Sequence, residues 1–342
     1  MPGHLAHCPR KWPSRRPPAQ WVVTETLDAE CTPTVILDGH YQRSFANLNR
    51  ASIATSAAQA RQLAPLVQRC TANGRAELDR LRLPSGTSLH IVAAPVFGPG
   101  NHAYGVSLWA GISSDTPPPP PVVGAIEWDA TTMLATISPV LRELLQIPDA
   151  ELHSPTTLPD LIAHFARWDD RAGLLDLLDP SHPAHTWTGT ATTPFVQGTR
   201  RNFHIAAKTI PASNVIRALI CDISHTCSPP TADSVSAALR RAPLAQGHAI
   251  GIVDLATGLI HEWIADEPFA SWRNRNPEIH PDDIQLVADT CARLLSGTPT
   301  STVAARVRFD PTDAWIPLQA TWTRITDDDR PQALIDVTSL SH

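Results

Sequence analysis

The chain has 342 residues, of which 42% are hydrophobic and 18% are charged, and its formal net charge is −6. This length suffices for about two or three domains of ordinary size, and the composition is that of a globular chain with its own hydrophobic cores. The negative charge excludes a broad electrostatic surface for nucleic acid or anionic membrane, and no stretch approaches the roughly 20 apolar residues of a membrane span.

Six cysteines lie far apart, and none forms a Cys-x-x-Cys pair. A structural zinc site usually needs close pairs of ligands, so we expect no metal. Reduced thiols in a reducing compartment are the simplest interpretation, and the cytoplasm is the expected location. Residues 1–20 contain Arg15-Arg16 followed by prolines instead of an apolar stretch. They are predicted to form a disordered basic arm and not an export signal.

The first predicted unit spans residues 21–116. Its β-branched and apolar runs predict strands at 21–27, 34–37, 89–94 and 104–109. The last two flank a glycine-rich turn and predict a hairpin. From Ala46 to about Cys70 the sequence favours helix, and Pro65 is expected to interrupt it or to begin a second helix.

Five consecutive prolines, Pro117 to Pro121, follow this unit. A polyproline run has no backbone donors to give a sheet and is semi-rigid. We interpret residues 117–121 as a linker that separates the first unit from the second and limits their relative reach.

The second unit spans residues 122–227. Apolar residues predict strands at 125–129, 186–192, 201–208 and 215–223. Leucines at helical spacing predict a helix over 141–147, which Pro148 ends. A second helical zone is predicted from Leu158 to Leu178, with apolar residues at helical intervals.

The third unit spans residues 247–342, after a linker of residues 228–246 that contains a short predicted helix. Two strands surround Ala256-Thr257-Gly258, and further strands are predicted at 302–309, 315–324 and 333–337. Between them His280-Pro281-Asp282-Asp283 opens a helix that reaches Leu295, because proline suits the first helical position and aspartates favour the positive end of the helix dipole.

The second and third units follow one plan. The second unit opens with Trp128-Asp129-Ala130-Thr131 and closes with Ala218-Leu219-Ile220-Cys221-Asp222-Ile223-Ser224. The third unit opens with Val253-Asp254-Leu255-Ala256-Thr257 and closes with Ala333-Leu334-Ile335-Asp336-Val337-Thr338. This period far exceeds the roughly 20–50 residues of a solenoid repeat, so it indicates duplicated whole domains.

Strand, turn, strand, then helices, then three antiparallel strands is the order of a PAS domain, and both units resemble that family. The third also carries His280-Pro281-Asp282-Asp283, similar to a segment common in PAS domains, and closes on a strand pair around Trp315 and Trp322 that resembles the family's C-terminal motif. The first unit looks like a related sensor sheet, either GAF or PAS. The expected fold class is α+β, with three tandem PAS/GAF-like domains that each place helices on one face of an antiparallel sheet.

From Trp21 to Leu340 the chain resembles the mycobacterial triple sensor-domain proteins with GAF–PAS–PAS architecture. The resemblance lies in Trp21-Val22-Val23-Thr24-Glu25-Thr26-Leu27, in Gly105-Val106-Ser107-Leu108-Trp109 before the prolines, and in Gly124-Ala125-Ile126-Glu127-Trp128-Asp129. It implies a sensor or scaffold whose output passes through another, unknown protein. The basic arm has no expected counterpart in that family.

No enzyme motif was found: the sequence lacks a Gly-x-Ser-x-Gly elbow, a phosphate-binding Gly-x-x-x-x-Gly-Lys-[Ser/Thr] loop and a His-Glu-x-x-His pair. His261-Glu262 is interpreted as part of a strand on a solvated face, and Asp327-Asp328-Asp329 as a solvated hairpin turn. We therefore expect a non-enzymatic regulator that senses a small ligand or docks a protein partner. The alternative is a structural interaction scaffold without ligand.

The candidate ligand-binding residues are His164, His204 and His261, which could supply an axial ligand to haem, and Trp168 and Trp272, which could line a cavity or anchor a partner. With 15 histidines in the chain, chance placement explains any one of them. Haem is therefore disfavoured, and flavin is disfavoured because the cysteine motif of PAS-type photosensors is missing. We expect no cofactor, and either an apolar small molecule or a core filled by side chains.

Overall fold

In a computed structural model the chain is described at residues 20–54, 57–82, 86, 88–112, 114–148, 155–179, 185–194, 199–226, 247–265, 271–326 and 329–340. Apart from Gln20, the predicted basic arm of residues 1–20 lies outside the described residues, as does the predicted linker of residues 228–246. None of the helices in the described ranges is both long enough and apolar enough to cross a membrane.

The first sheet has six antiparallel strands in the order β3-β2-β1-β6-β5-β4, with a long helix on one face. In chain order its elements are β1 (Val22–Glu25), β2 (Thr34–Asp38), β3 (Tyr41–Asn47), a 3₁₀ turn (Leu48–Arg50), α1 (Ala57–Asn73), β4 (Glu77–Arg82), β5 (Ser88–Phe97), a 3₁₀ turn (Pro99–Asn101) and β6 (Ala103–Ile112). The predicted hairpin is confirmed, because β5 pairs with β6 in antiparallel register.

The predicted helical region between Ala46 and Cys70 is wrong in its start and in its interruption. The chain remains in β3 to Asn47, α1 begins at Ala57, and Pro65 lies inside α1. Pro65 is exposed, so the carbonyl one turn earlier, which loses its N–H donor, can bond to water and the helix continues. The sequence analysis also missed β3 and β4. Both are edge strands with mainly exposed residues, so they lack the apolar alternation that marks a strand.

The second sheet has seven antiparallel strands in the order β10-β11-β12-β13-β7-β8-β9. In chain order its elements are β7 (Val123–Asp129), β8 (Leu134–Ile137), α2 (Pro139–Leu145), β9 (Thr156–Thr157), α3 (Leu158–Ala163), β10 (Arg167–Trp168), α4 (Arg171–Leu178), β11 (Thr186–Thr192), β12 (Asn202–Ile210), a 3₁₀ turn (Pro211–Ser213) and β13 (Val215–Asp222). The single helical zone predicted from Leu158 to Leu178 is wrong. Asp170 takes a left-handed conformation with φ 54° and caps α4 by accepting the N–H of Gly173, so the chain forms two short helices around β10.

The third sheet has six antiparallel strands in the order β15-β14-β19-β18-β17-β16. In chain order its elements are β14 (His248–Asp254), β15 (Ile260–Ala265), α5 (Ser271–Asn274), β16 (Glu278–Ile279), a 3₁₀ turn (Pro281–Asp283), α6 (Ile284–Leu295), β17 (Thr300–Arg308), β18 (Ile316–Arg324) and β19 (Gln332–Ser339). The three strands predicted at the end of this unit are confirmed, with their ends shifted by one or two residues. The helix predicted to open at His280 begins with the 3₁₀ turn and continues as α6.

One strand order recurs in all three sheets. The shared part is β2-β1-β6-β5-β4 in the first, β8-β7-β13-β12-β11 in the second and β15-β14-β19-β18-β17 in the third. In each sheet the two strands that come first in the chain are joined laterally to the last three, and a helix precedes those three. The internal repeat is therefore confirmed, it extends to the first sheet, and the chain is an α+β protein with three tandem antiparallel sheets.

The first two sheets pack directly against each other. In β1, Val22 packs towards α1 whereas its neighbour Val23 packs towards the second sheet. The buried residues of this inter-sheet core are Val23, Leu27, Ile36, Leu37, Val96 and Tyr104 from the first sheet, with Val123, Ala125, Ala206, Ile210, Leu219, Cys221 and Ile223 from the second. Each sheet is thus covered by helix on one face and by its neighbour on the other.

A buried ion pair lies in this inter-sheet core. Lys208 Nζ is 3.0 Å from Glu25 Oε1, and the Glu25 side chain is 1% exposed. At the same contact Arg217 donates to Glu127 Oε2 at 2.8 Å and to the carbonyl oxygen of Leu27 at 3.0 Å. The pair of Lys208 with Glu25 and the bond from Arg217 to Leu27 join the two sheets and fix their relative position, whereas Arg217 and Glu127 both belong to the second sheet.

The proline run does not hold the first two units apart, contrary to the sequence-based expectation. Trp21 Nε1 donates a hydrogen bond of 2.9 Å to the carbonyl oxygen of Pro118. Together with Leu37 and Val122, the prolines 118–121 border a surface hollow of about 370 Å³. The prolines run alongside the contact between the two sheets. The sheets make this contact directly, because the faces that they turn to each other are apolar.

The second and third units meet at a cluster of charges around Arg330. This side chain, 6% exposed, donates to Asp254 Oδ2 at 2.8 Å and to Asp176 Oδ1 at 2.5 Å, and it lies 3.4 Å from Asp179. Asp176 and Asp179 belong to the second unit, whereas Asp254 and Arg330 belong to the third. Asp327 and Asp328, in the turn predicted to be solvated, lie outside the described residues, but the same turn delivers Arg330 to a buried position.

Candidate functional site

A cavity of about 310 Å³ lies between the third sheet and the segment from α5 to α6. Its wall is apolar: the lining includes Leu259, Ile260, Trp263, Trp272, Ile279, Val287, Val303, Ala305, Val307, Leu318, Ala320, Trp322, Ile335 and Val337. Small-molecule sites typically span roughly 300–1,000 Å³ and are lined mainly by hydrophobic and aromatic residues. Both the size and the composition of this cavity fall within that description.

Strand alternation builds the floor of the cavity. Every second residue of β17, β18 and β19 points to the same face, so Val303, Ala305 and Val307 line the cavity from one strand. In the register of β17 and β18, Ala305 pairs with Leu318 and Val303 pairs with Ala320. An alanine on each strand leaves unfilled the volume that a larger aliphatic side chain would occupy.

Aromatic side chains from β15 and α5 form another part of the cavity wall. Trp272 on α5 meets Trp263 on β15 edge to face, with ring centroids 5.4 Å apart, and lies 5.4 Å from the Phe309 ring. Such contacts hold the rings in defined orientations. The large apolar surfaces of Trp263 and Trp272 therefore face the cavity from a rigid support.

The second unit closes one side of the cavity. Thr132 and Met133, in the turn between β7 and β8, and Pro159 at the start of α3 all belong to the lining. Asn276 Nδ2 donates a hydrogen bond of 2.9 Å to the carbonyl oxygen of Thr132, which ties the cavity rim to that turn. The site is thus shared by two units.

Few polar groups border the cavity. Trp322 Nε1 is buried and has no hydrogen-bond partner among the described residues. An unsatisfied buried donor costs roughly 1–3 kcal/mol, so an occupant with an acceptor at this position would be stabilised. At the rim Arg275 and Asn276 are exposed, and Arg275 is the one charged residue among the described lining residues.

His261 lies beside this site but does not line it. The interpretation of His261-Glu262 as a solvated strand face is wrong, since the side chains are 0% and 6% exposed. Burial above all, together with the positive charge of Arg171, lowers the pKa of His261 to about 3 despite the nearby Glu262 and the Gln332 side chain. Arg171 of the second unit forms an ion pair with Glu262, so this strand faces the second unit instead of solvent.

The five sequence-predicted residues do not converge on one site. Trp272 lines the 310 Å³ cavity. His164 ends α3 and borders a separate hollow of about 190 Å³ with Arg201. Trp168 is packed in the core of the second unit against Phe165, with ring centroids 4.7 Å apart.

The other two predicted histidines lie at contacts between units. His204 is 3% exposed, and its Nε2 lies 3.2 Å from the carbonyl oxygen of Arg43 in the first unit. Burial lowers the pKa of His204, although hydrogen bonding to the backbone opposes this shift. His204 is remote from the cavity lining, and His261 faces the second unit as described above.

The sequence analysis missed most of the cavity. The strand residues Ala305, Ala320 and Trp322, the rim residue Arg275 and the second-unit residue Met133 were not among the candidates. A usable signal was present in the strands: alanines at inward positions of both β17 and β18 indicate missing volume. Nothing local in the sequence indicates that Met133 approaches the third sheet.

The described residues of this site include no metal-ligating cluster and no haem ligand. Within the described ranges, no three His, Cys, Asp or Glu side chains are grouped to hold a metal ion. No histidine or cysteine is among the described residues that line the cavity. The described lining therefore presents neither an axial histidine for haem nor a thiol that could react with a flavin.

Known proteins resemble this chain at two levels: a family model matches the first sheet, and a solved structure matches the whole fold. Residues 20–120 match the model of the Rv3651-like N-terminal domain. In that region the chain is similar to the Rv3651-like family. Over the whole chain, the crystal structure of an uncharacterized protein from Mycobacterium tuberculosis is similar with a TM-score of 0.68 and 19% identity, covering 94% of this chain and 96% of the other. That likeness shows a shared fold for the three sheets.

Two further solved structures are similar only at a level too low to bear on the fold. An RNA-binding light-oxygen-voltage receptor has a TM-score of 0.25 at 10% identity, covering 64% of this chain and 95% of its own. The sensor domain of the Vibrio cholerae histidine kinase DctB has a TM-score of 0.16 at 12% identity, covering 45% of this chain and 58% of its own. No curated protein matches the chain.

Proposed function

We propose that this protein is a non-enzymatic regulator whose third domain binds a small apolar molecule, with PAS-like second and third domains and a GAF- or PAS-like first domain. The observation that carries the proposal is the 310 Å³ cavity, with its apolar wall and the unpaired N–H of Trp322. Its place between sheet and helices is where a ligand would contact most of the elements of the domain. The output passes to a protein partner that is not identified.

The position of the second unit supplies a route for signalling. A ligand shifts an equilibrium only by the difference between its affinities for the two states. Because Met133 and Pro159 belong to the lining, an occupant contacts the second unit directly, and its affinity depends on how the two units pack. Filling the cavity is therefore expected to stabilise the present arrangement of the second and third units relative to one that opens the cavity.

The test uses two neighbouring alanines of β17. Ala305 lines the cavity, whereas Ala304 is exposed on the opposite face of the same strand. Ala305→Phe fills the cavity with an aromatic ring, and Ala304→Phe adds the same ring outside it. We expect the neutral fluorophore N-phenyl-1-naphthylamine to bind the wild-type chain and Ala304→Phe, and to bind Ala305→Phe at least about tenfold more weakly.

Native mass spectrometry of the freshly purified chain complements the dye. A reproducible additional mass that denaturation releases, and that Ala305→Phe lacks, would identify a co-purified ligand. Equal dye binding by wild type and Ala305→Phe would contradict the proposal, since the dye would then occupy another surface.

The alternative function is an interaction scaffold that works without a ligand. Its supporting observation is the exposure of large apolar residues on α6, with Ile284 at 54%, Leu286 at 50% and Leu295 at 43%. Ile284 and Leu286 are two residues apart and lie on different faces of α6, so they would bind a partner that contacts more than one side of the helix. The scaffold predicts that neither the dye nor a co-purified mass depends on Ala305.

A further inference from the structure

We infer that the ligand of this cavity is an organic acid, with an apolar body inside the cavity and a carboxylate at Arg275. The inference rests on the proposed function, because it names the chemical class that the same site selects. Arg275 is the one charged side chain among the described lining residues, and it is positive. No carboxylate is among the described lining residues to compete for it.

The hydrogen-bonding state of the rim separates Arg275 from its neighbour. Asn276 uses its amide N–H to bind the carbonyl oxygen of Thr132. Arg275 makes no hydrogen bond or ion pair with any described residue. Its electrostatic partner is Asp310, and both the backbone N–H and the hydroxyl of Thr312 already donate to that carboxylate. The guanidinium at the rim is therefore available to a ligand.

The chemistry of guanidinium then determines the class of ligand. Arginine binds a carboxylate through two parallel N–H···O bonds, which fix the orientation of the acid as well as its position. A pocket with an apolar wall and one such polar group at its rim orients an amphipathic molecule with its head outward. The apolar body would extend from Arg275 towards Trp263, Trp272 and Ala305.

A matched pair of probes isolates the contribution of the carboxylate. Decanoate and decan-1-ol have the same chain length and differ in the head group. Each is used to displace N-phenyl-1-naphthylamine from the full chain at neutral pH, where the acid is ionised. The readout is the ratio of the two affinities, which cancels any general change in the cavity.

We expect Arg275→Met to lower the decanoate-to-decanol affinity ratio about fivefold, the upper end for a partly exposed ion pair. Arg275→Lys, which keeps the charge, is expected to retain most of the ratio. Arg80→Met removes an exposed arginine of β4 that lies outside the cavity, and the ratio should not change.

The outcomes separate this inference from the proposed function. If dye binding depends on Ala305 but Arg275→Met leaves the affinity ratio unchanged, the inference of an organic acid is wrong. The proposed binding site for an apolar ligand would then be retained. If neither the dye nor decanoate binds the wild-type chain, both are wrong. Displacement by decanoate that is weakened equally by Arg80→Met would show a general charge effect and overturn the role of Arg275.

Discussion

Two histidines that the sequence suggested as ligand contacts are instead held in neutral form at contacts between domains. His204 is buried where the first and second sheets meet, and His261 is buried where the third meets the second. For each, burial is the largest influence and lowers the pKa. In the unfolded chain both would have the ordinary pKa of about 6.5. The difference links the stability of these contacts to pH.

We predict that His261 destabilises the fold as the medium is acidified. Its pKa is about 3 in the folded chain, so between about pH 6.5 and pH 3 the unfolded chain binds a proton that the folded chain does not. Stability is then fully present above pH 6.5 and decreases as the pH falls, by about 2 kcal/mol at pH 5. Urea denaturation at pH 7 and pH 5 should show that His261→Gln loses less stability than wild type on this change.

His102 provides the control, because it is exposed. His102→Gln should keep the wild-type difference in unfolding free energy between the two pH values. The same pH dependence for His261→Gln and wild type would show that the imidazole of His261 is accessible to protons in the folded chain.

For single residues, the sequence indicated which residue types suit a binding site, but it did not indicate where those residues lie in the fold. Trp272, a tryptophan in a short helix, was among the sequence candidates because few roles other than core or cavity suit so large an apolar side chain, and it lines the cavity. Arg275, three residues later, was not, because an arginine beside polar residues has the same local appearance on any solvated loop. Its position at the rim depends on where β17 and β18 lie, which no local pattern specifies.

Among the elements, α2 shows a cap with a second task. Ser138 precedes Pro139, and a serine followed by proline at the first helical position is a readable start signal. Its Oγ accepts the N–H of Leu141 at 3.2 Å, which is the ordinary cap. It also accepts the N–H of Ala125 in β7 at 2.9 Å, and so joins the helix to the sheet.

We predict that Ser138→Ala lowers the unfolding free energy by more than the loss of an ordinary helix cap does. The substitution leaves the N–H of Ala125 buried without an acceptor, in addition to the lost cap. The expected loss is about 2–3 kcal/mol of unfolding free energy, measured by urea denaturation. Asn47→Ala is the matched control: Asn47 is exposed and caps a 3₁₀ turn through one bond to the N–H of Asn49, so its loss should be about 1 kcal/mol or less. Equal losses for the two variants would show that the bond to Ala125 is immaterial.

The strands show where element prediction succeeded. Strands with a buried face and β-branched residues, such as β17, β18 and β19, were found with small errors at their ends. The edge strands β3 and β4 were missed because their side chains are mostly solvated on both faces. The region between Leu158 and Leu178 has helical spacing throughout, but α3 ends at Ala163, β10 pairs with β11, and the left-handed Asp170 begins α4. Asparagine and aspartate tolerate that conformation, but they do not require it.

On the scale of the whole molecule, the first two sheets behave as one packed body. They share an apolar core and the ion pair of Lys208 with Glu25, whose side chains are 11% and 1% exposed. Removing one partner of a buried pair leaves the other charge without compensation, and this is far more costly than removing both. The pair therefore reports on the contact between the sheets.

We predict that Lys208→Met lowers the unfolding free energy by about 3–5 kcal/mol, and that adding Glu25→Gln recovers part of the loss. Urea denaturation of the full chain should show both sheets unfolding in a single transition. The exposed pair of Arg69 with Asp79, at 3.2 Å, is the control, and Arg69→Met should cost less than about 1 kcal/mol. Additive effects of Lys208→Met and Glu25→Gln would contradict an energetic coupling between the sheets.

A sequence signal for this packing was present and was not used. β13 contains the continuous apolar run Ala218-Leu219-Ile220-Cys221, and all four residues are buried. Continuous burial indicates a strand covered on both faces, whereas alternation indicates one solvated face. The prolines led to the opposite prediction, because a polyproline run is commonly a spacer. Which surface covers the second face cannot be read from the strand that it covers.

The burial pattern of the strands sets how freely each sheet can change its sequence. In β17 and β19 buried residues alternate with more exposed ones, whereas β1 and the middle of β6 are buried without interruption and β12 is buried at every position but Thr209. Nearly every substitution in those central strands therefore disturbs packing on one face or the other. In the third sheet, about every second position can accept a substitution without disturbing the core. The third sheet can thus diverge on its more exposed face, whereas its cavity-lining face and the first two sheets are held by packing.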